Sequence, residues 1–247
     1  MKFVDRPNLP ENAGVVIVSA NTTQEILSSL HALGIDTILS PHLDDTQNPI
    51  INHPDVGIVH ISSGNFVCSP ETYSYYKDVF LGTGANLFCG YTSTNGKYPH
   101  DAAYNIAIVS NHTFLNTKNV DNILFDNVKN KLIDIKQGYA KCSICIVDEN
   151  SIITEDEGIT AAAIANNIDV LKISKGQVRL SGFDYGFIGG CSGKLAKNVL
   201  AFAGDITKHT DYIIMRDFCL RKGVEMISLG NDILTDIGSI LPIYEKE

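Results

Sequence analysis

The chain has 247 residues, of which 44% are hydrophobic and 19% charged, and its formal net charge is −9. This composition is that of a globular protein with a sizeable core. An acidic chain without a basic run lacks the positive stripe that neutralises phosphates, which excludes nucleic acid as its main partner. No stretch approaches about 18 consecutive apolar residues and no signal peptide is predicted, so we expect a cytoplasmic protein without membrane contacts.

A β-rich run, an amphipathic helix and a second β-rich run recur five times along the chain. The first runs are GVVIV (14–18), VGIVHI (56–61), NIAIV (105–109), CSICIV (142–147) and NVLAFAG (198–204). The predicted helices cover residues 21–34, 69–80, 120–128, 154–167 and 209–223, since their apolar residues recur at helical spacing. The closing runs are 36–40, 85–89, 131–135, 169–174 and 224–230. A fixed period of this kind indicates a repeat architecture.

Two further features refine these units. Thr154 and Glu157 have the spacing of a capping box, which predicts the start of the fourth helix. Glycine-punctuated tails follow the last two units, RLSGFDYGFIGGCSG (179–193) and DILTDIGSILPI (232–243). We interpret each tail as an extra strand that crosses toward the middle of the assembly.

Five β-β-α-β units with a period in the mid-forties resemble the pentein, or guanidine-group-modifying, fold, and in particular a clostridial-type branch of it. The resemblance is architectural and covers nearly the whole chain. It implies an α/β propeller around a pseudo-fivefold axis, with helices outside and strands lining a central channel. Related proteins include deiminases, amidinotransferases and a non-enzymatic ribosome anti-association factor. We therefore expect one pentein-like domain over residues 1–247, with units starting near 14, 56, 105, 142 and 198.

Cysteine chemistry is the first candidate function. The resemblance implies a cysteine nucleophile in the last unit, yet the matching stretch there, LTDIGSILPI (234–243), contains Ser239 and no cysteine. The tail of the fourth unit has the glycine turn GFIGGCSG with Cys191. Gly189 and Gly190 would let backbone N–H groups approach a substrate beside this thiol. The alternative is that the glycines allow tight packing and that Cys191 is a small buried filler.

Polar triplets suggest the partners of such a nucleophile. KHTD (208–211) supplies His209 as acid/base and Asp211 as its carboxylate, or else these residues cap a helix. NHPD and YPHD place Asp55 and Asp101 just before two leading strands, where they form an acidic mouth or serve as turn residues. Asp184 is a further candidate for holding a cationic ligand.

CSIC (142–145) has redox-motif spacing, but it lies in a β-run, where positions i and i+3 point to opposite faces. No second pair of cysteine or histidine residues is spaced for zinc. The sequence therefore predicts neither a metal, nor a disulfide, nor a cofactor.

Two hypotheses remain. In the first, the protein is a binding member of the fold, without catalysis, whose partner is a small cationic ligand or another protein. In the second, it is a cysteine-dependent hydrolase (deiminase-like) or amidinotransferase acting on a guanidino compound, with Cys191, His209 and Asp211 catalytic. The vacant cysteine position in the last unit favours the first hypothesis, and the sequence predicts no oligomeric state.

Overall fold

The structure is a computed structural model that describes residues 1–43, 50–95 and 97–246. Strands β1 to β16 span Lys2–Phe3, Ala13–Val18, Asp36–Leu39, Ile58–Ser62, Asn65–Cys68, Asn86–Cys89, Ala107–Val109, His112–Leu115, Lys131–Asp134, Cys145–Asp148, Ser151–Thr154, Asp169–Lys172, Ser192–Ala196, Val199–Phe202, Glu225–Ser228 and Leu241–Glu245. Helices α1 to α7 span Gln24–Ala32, Pro54–Gly57, Pro70–Val79, Asn122–Asn127, Ala140–Ser143, Glu157–Ala165 and Tyr212–Arg221. Short 3₁₀ turns cover His100–Ala102 and Ile206–Lys208.

The strands form five small sheets that share one pattern. In each sheet a first strand pairs antiparallel with a second, and the second pairs parallel with a third. A parallel pair needs a crossover connection, and α1, α3, α4, α6 and α7 supply it in the five units. The predicted fold class, five β-β-α-β units about a pseudo-fivefold axis, is confirmed.

The last strand of the chain closes the ring of units. Strand β16 pairs with β2, with Leu241 opposite Ile17, so residues from both ends of the chain build the first sheet. The two glycine-punctuated tails thus end in β13 and β16, which are the first strands of the fifth and first units. For this reason the predicted starts near 14 and 198 fall at second strands, whereas those near 56, 105 and 142 fall just before first strands.

The hydrophobic core consists of clusters between neighbouring units. Because side chains alternate across a strand, Ile58 packs with Phe66 and Leu241 on one side, while Val59 packs with Ile106 on the other. The largest cluster joins the first, fourth and fifth units and contains Cys191. Third strands such as β3 and β15 expose their ends, which places them at the periphery. The first strands therefore lie innermost.

Two local predictions were wrong. Helix α6 is capped by Asp156, whose carboxylate accepts from the N–H of Ile159 at 2.8 Å, and not by a Thr154–Glu157 box. Thr154 is the last residue of β11, and its hydroxyl donates to the carbonyl of Ser143. Cys142 lies in the helical turn α5 instead of a strand, so the strand geometry assumed for CSIC does not apply. Across the described ranges, none of the helices has the length and apolar character needed to cross a membrane.

Candidate functional site

The turns that precede the five first strands meet on the axis. Each turn brings a polar residue or a glycine to this point, namely Asp55 before β4, Asn105 before β7, Cys142 before β10, Gly189 before β13 and Ser239 before β16. All of these residues are buried. We call Asp55, Asn105, Lys141, Cys142 and Ser239 the axial hub, because hydrogen bonds connect them across unit boundaries.

Ser239 is the centre of the axial hub. Its Oγ lies 2.6 Å from Oδ2 of Asp55 and 3.1 Å from the carbonyl oxygen of Gly189, and Nζ of Lys141 donates to it at 3.0 Å. Ser239 has φ = +74°, a left-handed conformation that a residue other than glycine adopts only under constraint. The backbone is thus held so that the hydroxyl stands between an amine and a carboxylate.

Asn105 and Cys142 complete the network. Nδ2 of Asn105 donates to Sγ of Cys142 at 3.1 Å, and the thiol in turn donates to Oδ2 of Asp55 at 3.1 Å. Oδ1 of Asn105 accepts from the backbone N–H groups of Lys141 and Cys142 at 2.7 and 3.2 Å. These last bonds fix the turn that delivers Lys141 to the axis.

Burial sets the electrostatics of the axial hub. It raises the pKa of Asp55 and of the Cys142 thiol and lowers the pKa of Lys141, because a low-dielectric site disfavours each charged form. The Lys141 ammonium and the Asp55 carboxylate oppose these shifts in each other. Cys142 is therefore a protonated donor to Asp55 and not a thiolate nucleophile.

A second polar layer adjoins the hub. Asp236 accepts from the N–H groups of Phe187 and Gly238, both at 3.0 Å, and lies 3.6 Å from Nδ1 of His53. Glu155 accepts from the N–H of Ile188 at 2.8 Å. Burial raises the pKa of Asp236 to about 6 and that of Glu155 to about 7. Both carboxyl groups are thus poised to take up protons near neutral pH.

Gly190 lies against the Asp236 carboxylate, and Gly189 lies against the backbone of the turn that holds Lys141 and Cys142. A Cβ on Gly190 would stand 2.1 Å from Oδ1 of Asp236, and one on Gly189 would stand 2.4 Å from the carbonyl oxygen of Lys141. The N–H of Gly190 donates to the carbonyl of Cys142 at 2.8 Å. Close packing alone therefore accounts for the two glycines.

Cys191 and the KHTD segment have separate surroundings. The buried Cys191 donates from Sγ to the carbonyl of Ile188 at 3.3 Å, and burial raises its pKa well above the usual thiol value. Nδ1 of His209 accepts from the N–H of Asp211. Asp211, which stands at the start of α7, accepts through its carboxylate from the N–H of Ser174. No hydrogen bond in the described ranges joins Cys191 to His209 or Asp211, and their catalytic assignment stays a prediction.

An aromatic and acidic surface lies on the hub side of the first strands. Four rings, which we call the aromatic rim, follow one another: Tyr98 to Tyr139 at 5.7 Å, Tyr139 to Phe187 at 6.5 Å, and Phe187 to Tyr185 at 6.1 Å between centroids. The Tyr139 hydroxyl hydrogen-bonds to Asp101, whose Oδ1 is buried without a partner among the described residues.

The three aspartates predicted to bind a ligand lie in different parts of the structure. Asp55 lies in the axial hub, Asp101 lies beside the rim, and Asp184 is exposed in the loop before β13. Sequence reasoning missed Lys141, Cys142 and Asn105 as hub residues, and it noted Ser239 only as the nearest hydroxyl. A usable signal existed: each of these residues stands just before a first strand.

Solved structures of similar architecture are pentein-fold enzymes. An amidinotransferase from the saxitoxin pathway of Microseira wollei is 12% identical, with a TM-score of 0.59 and coverage of 99% of this chain and 98% of that one. An inosamine-phosphate amidinotransferase from Streptomyces griseus is 11% identical, with a TM-score of 0.62 and coverage of 100% and 98%. DDAH from Pseudomonas aeruginosa, a cysteine-to-serine mutant complexed with citrulline, is 10% identical, with a TM-score of 0.57 and coverage of 94% and 100%.

At this level of identity the likeness is one of fold. The sequence matches no curated protein. The model of a family of unknown function, DUF6873, matches residues 17–241, which is most of the chain. The chain therefore belongs to the DUF6873 family, and its fold is that of the pentein enzymes that modify guanidino groups.

Proposed function

We propose that the protein binds a small organic cation at the aromatic rim and does not use a cysteine nucleophile. The observation that carries this proposal is the row of four aromatic rings beside the Asp101 carboxyl group. Aromatic faces attract ammonium and guanidinium groups through the ring quadrupole, and a nearby carboxylate adds direct charge attraction. The net charge of −9 favours a cationic partner further.

The rim has polar groups suited to such a ligand. Oδ1 of Asp101 is buried and unpartnered within the described part of the chain, so a ligand N–H is a favourable donor to it. Glu155 and Asp236 accept from the N–H groups of Ile188 and Phe187, so two more carboxyl groups are bound to the backbone that carries the Phe187 ring. A guanidinium or alkylammonium group carries several N–H donors, which match carboxylate acceptors of this kind.

The chemistry of the axial hub supports binding without turnover. The last unit, where the resemblance implies a cysteine, supplies Ser239, and its hydroxyl is already engaged by Lys141 and Asp55. Cys142 and Cys191 have raised pKa values, and nucleophilic cysteines need lowered ones. In two similar structures, DDAH with citrulline and C. jejuni agmatine deiminase with substrate, the ligand is bound to a cysteine-to-serine variant.

The test is a calorimetric titration of the whole chain with agmatine, arginine and tetramethylammonium, with sodium chloride as the blank. We expect saturable binding of at least one organic cation and about a 5- to 30-fold loss in the Tyr98→Leu variant, as removal of one cation–π contact predicts. Tyr98 is 51% exposed, so the substitution is tolerated. Tyr91→Leu, at a tyrosine outside the rim that is 76% exposed, is the control and should bind normally.

Three results would contradict the proposal. The first is the absence of saturable binding by all three cations. The second is release of ammonia or urea from agmatine or arginine that disappears in Cys191→Ser, which would establish the alternative, a cysteine-dependent hydrolase. The third is retention of wild-type affinity in Tyr98→Leu, which would place the binding site away from the rim.

A further inference from the structure

A pocket lies at the far end of the first strands, away from the axial hub. It has a volume of about 430 Å³, counted with the open solvent at its mouth. The segment before β2 and the ends of β10 and β13 build its walls. Its cationic lining residues are Arg6, Lys194, Lys197 and Lys222. We call it the basic pocket.

Lys194 is the unusual member of this set. The residue is 2% exposed, and its Nζ donates to the carbonyl oxygen of Lys197 at 2.8 Å. No carboxylate of the described ranges lies within ion-pairing distance of that Nζ. Burial lowers the pKa of Lys194 to about 8, so most of the amine is still charged at neutral pH. A buried ammonium with one neutral acceptor lacks its counter-charge.

The neighbouring acids are already engaged. Nη1 of Arg6 lies 2.5 Å from Oε1 of Glu149, and Nζ of Lys197 lies 3.9 Å from Oε1 of Glu11. Lys222 pairs with Asp169, which is outside the pocket lining. Asp148, the remaining acidic residue of the lining, accepts from the N–H of Asn150 and attracts the Lys194 ammonium from beyond ion-pairing distance. Lys194 therefore has no direct ion pair with a carboxylate of the described ranges.

We propose that the basic pocket binds a small oxyanion, a carboxylate or a phosphate, whose oxygen accepts from Nζ of Lys194. Such a ligand replaces the missing counter-charge, and an anionic acceptor makes a stronger hydrogen bond than a neutral carbonyl. The pocket is separate from the aromatic rim, so this proposal stands whether or not the rim binds cations.

The experiment titrates the whole chain, at constant ionic strength, with inorganic phosphate in one arm and succinate in the other, by calorimetry. We expect saturable binding in at least one arm, and the responding arm identifies the anion class. In Lys194→Met affinity should fall about 10- to 100-fold, as loss of one charged hydrogen bond predicts. This variant keeps the length of the stem and removes a buried charge, so its fold should hold.

Lys77→Met removes one positive charge from an exposed helical position outside the pocket and is the matched control. Its affinity should equal that of the wild type. The proposal is overturned by the absence of saturable binding in both arms. It is also overturned if Lys194→Met binds like the wild type, or if Lys77→Met loses as much affinity as Lys194→Met, because the effect is then one of net charge alone.

Discussion

Oγ of Ser239 lies 2.6 Å from Oδ2 of Asp55, although 184 positions separate the two residues in the chain. The contact joins the turn before β16 to the turn before β4, so it fastens the closing strand of the ring to the second unit. The left-handed φ of +74° at Ser239 costs about 1–2 kcal/mol for a residue with a Cβ. Three polar contacts to a buried hydroxyl offset this cost.

The first prediction concerns this hydroxyl. Ser239→Ala deprives Lys141 of its hydrogen-bond acceptor and leaves Asp55 with the Cys142 thiol as side-chain donor. We expect the free energy of unfolding to fall by about 1–3 kcal/mol, the usual cost of leaving a buried polar group unpaired. Urea denaturation measures it. Ser28→Ala, on the exposed face of α1, should change stability by less than about 0.5 kcal/mol. Equal effects of the two variants would mean that the hub bonds contribute nothing.

The second prediction concerns thiol reactivity. Of the six free cysteines, Cys89 is exposed and the other five are buried. Iodoacetamide should therefore label Cys89 in the native protein, and faster at pH 9 than at pH 7, because the thiolate is the reactive form and desolvation raises the pKa of this thiol above its usual value. Cys191 should react only after denaturation. Peptide mapping by mass spectrometry reports each site, and rapid native labelling of Cys191 below pH 7 would instead indicate an activated nucleophile.

The repeat was predictable because its signals are local. Apolar alternation, helix caps and glycines specify each unit within a few dozen residues, and stacking of the units follows from their unburied faces. The two crossing tails were also recognisable, since each ends in a β-run that follows a glycine. These local signals indicate which segments form strands and helices, but they do not indicate which residues meet at the axis.

The axial hub was harder to predict because it depends on contacts between distant segments. The apolar run CSICIV favours a strand from Cys142 onward, yet Asn105 accepts from two successive N–H groups there and holds the chain in a helical turn. Asp55, which one of the Pro/His/Asp triplets singled out as a candidate ligand-binding residue, lies in the axial hub. In the next unit Asn105 reaches the hub, and Asp101 turns to Tyr139.

The third prediction tests whether the glycine turn serves packing. A Cβ on Gly190 would overlap the Asp236 carboxylate at 2.1 Å, and Gly190→Ala should therefore lower the free energy of unfolding by about 2 kcal/mol or more. Gly82→Ala is the control, since Gly82 has φ = +75° and no neighbour within 4 Å of its Cβ position. It should lose only about 1 kcal/mol from backbone strain. Denaturation that ranks Gly82→Ala as the more damaging would refute the close packing at Gly190.

The fourth prediction concerns pH. Glu155 is protonated more readily in the folded protein, where its pKa is about 7, than in the unfolded chain, where its pKa is 4.5. The native state therefore binds more protons between these values, so this group's contribution is complete below about pH 4.5 and is lost as pH rises through about 7. The loss is on the order of 3 kcal/mol.

Glu155→Gln keeps an oxygen acceptor for the N–H of Ile188 and removes the titration. Relative to this variant, the wild type should lose stability steadily between pH 4.5 and 8, as followed by urea denaturation at each pH. Asp236, with a pKa of about 6, titrates in both proteins, so its effect cancels to first order in the difference. Glu225→Gln, on the exposed edge strand β15, controls for the removal of one carboxylate. A difference between wild type and Glu155→Gln that stays constant across this range would show that Glu155 titrates alike in the folded and unfolded chains.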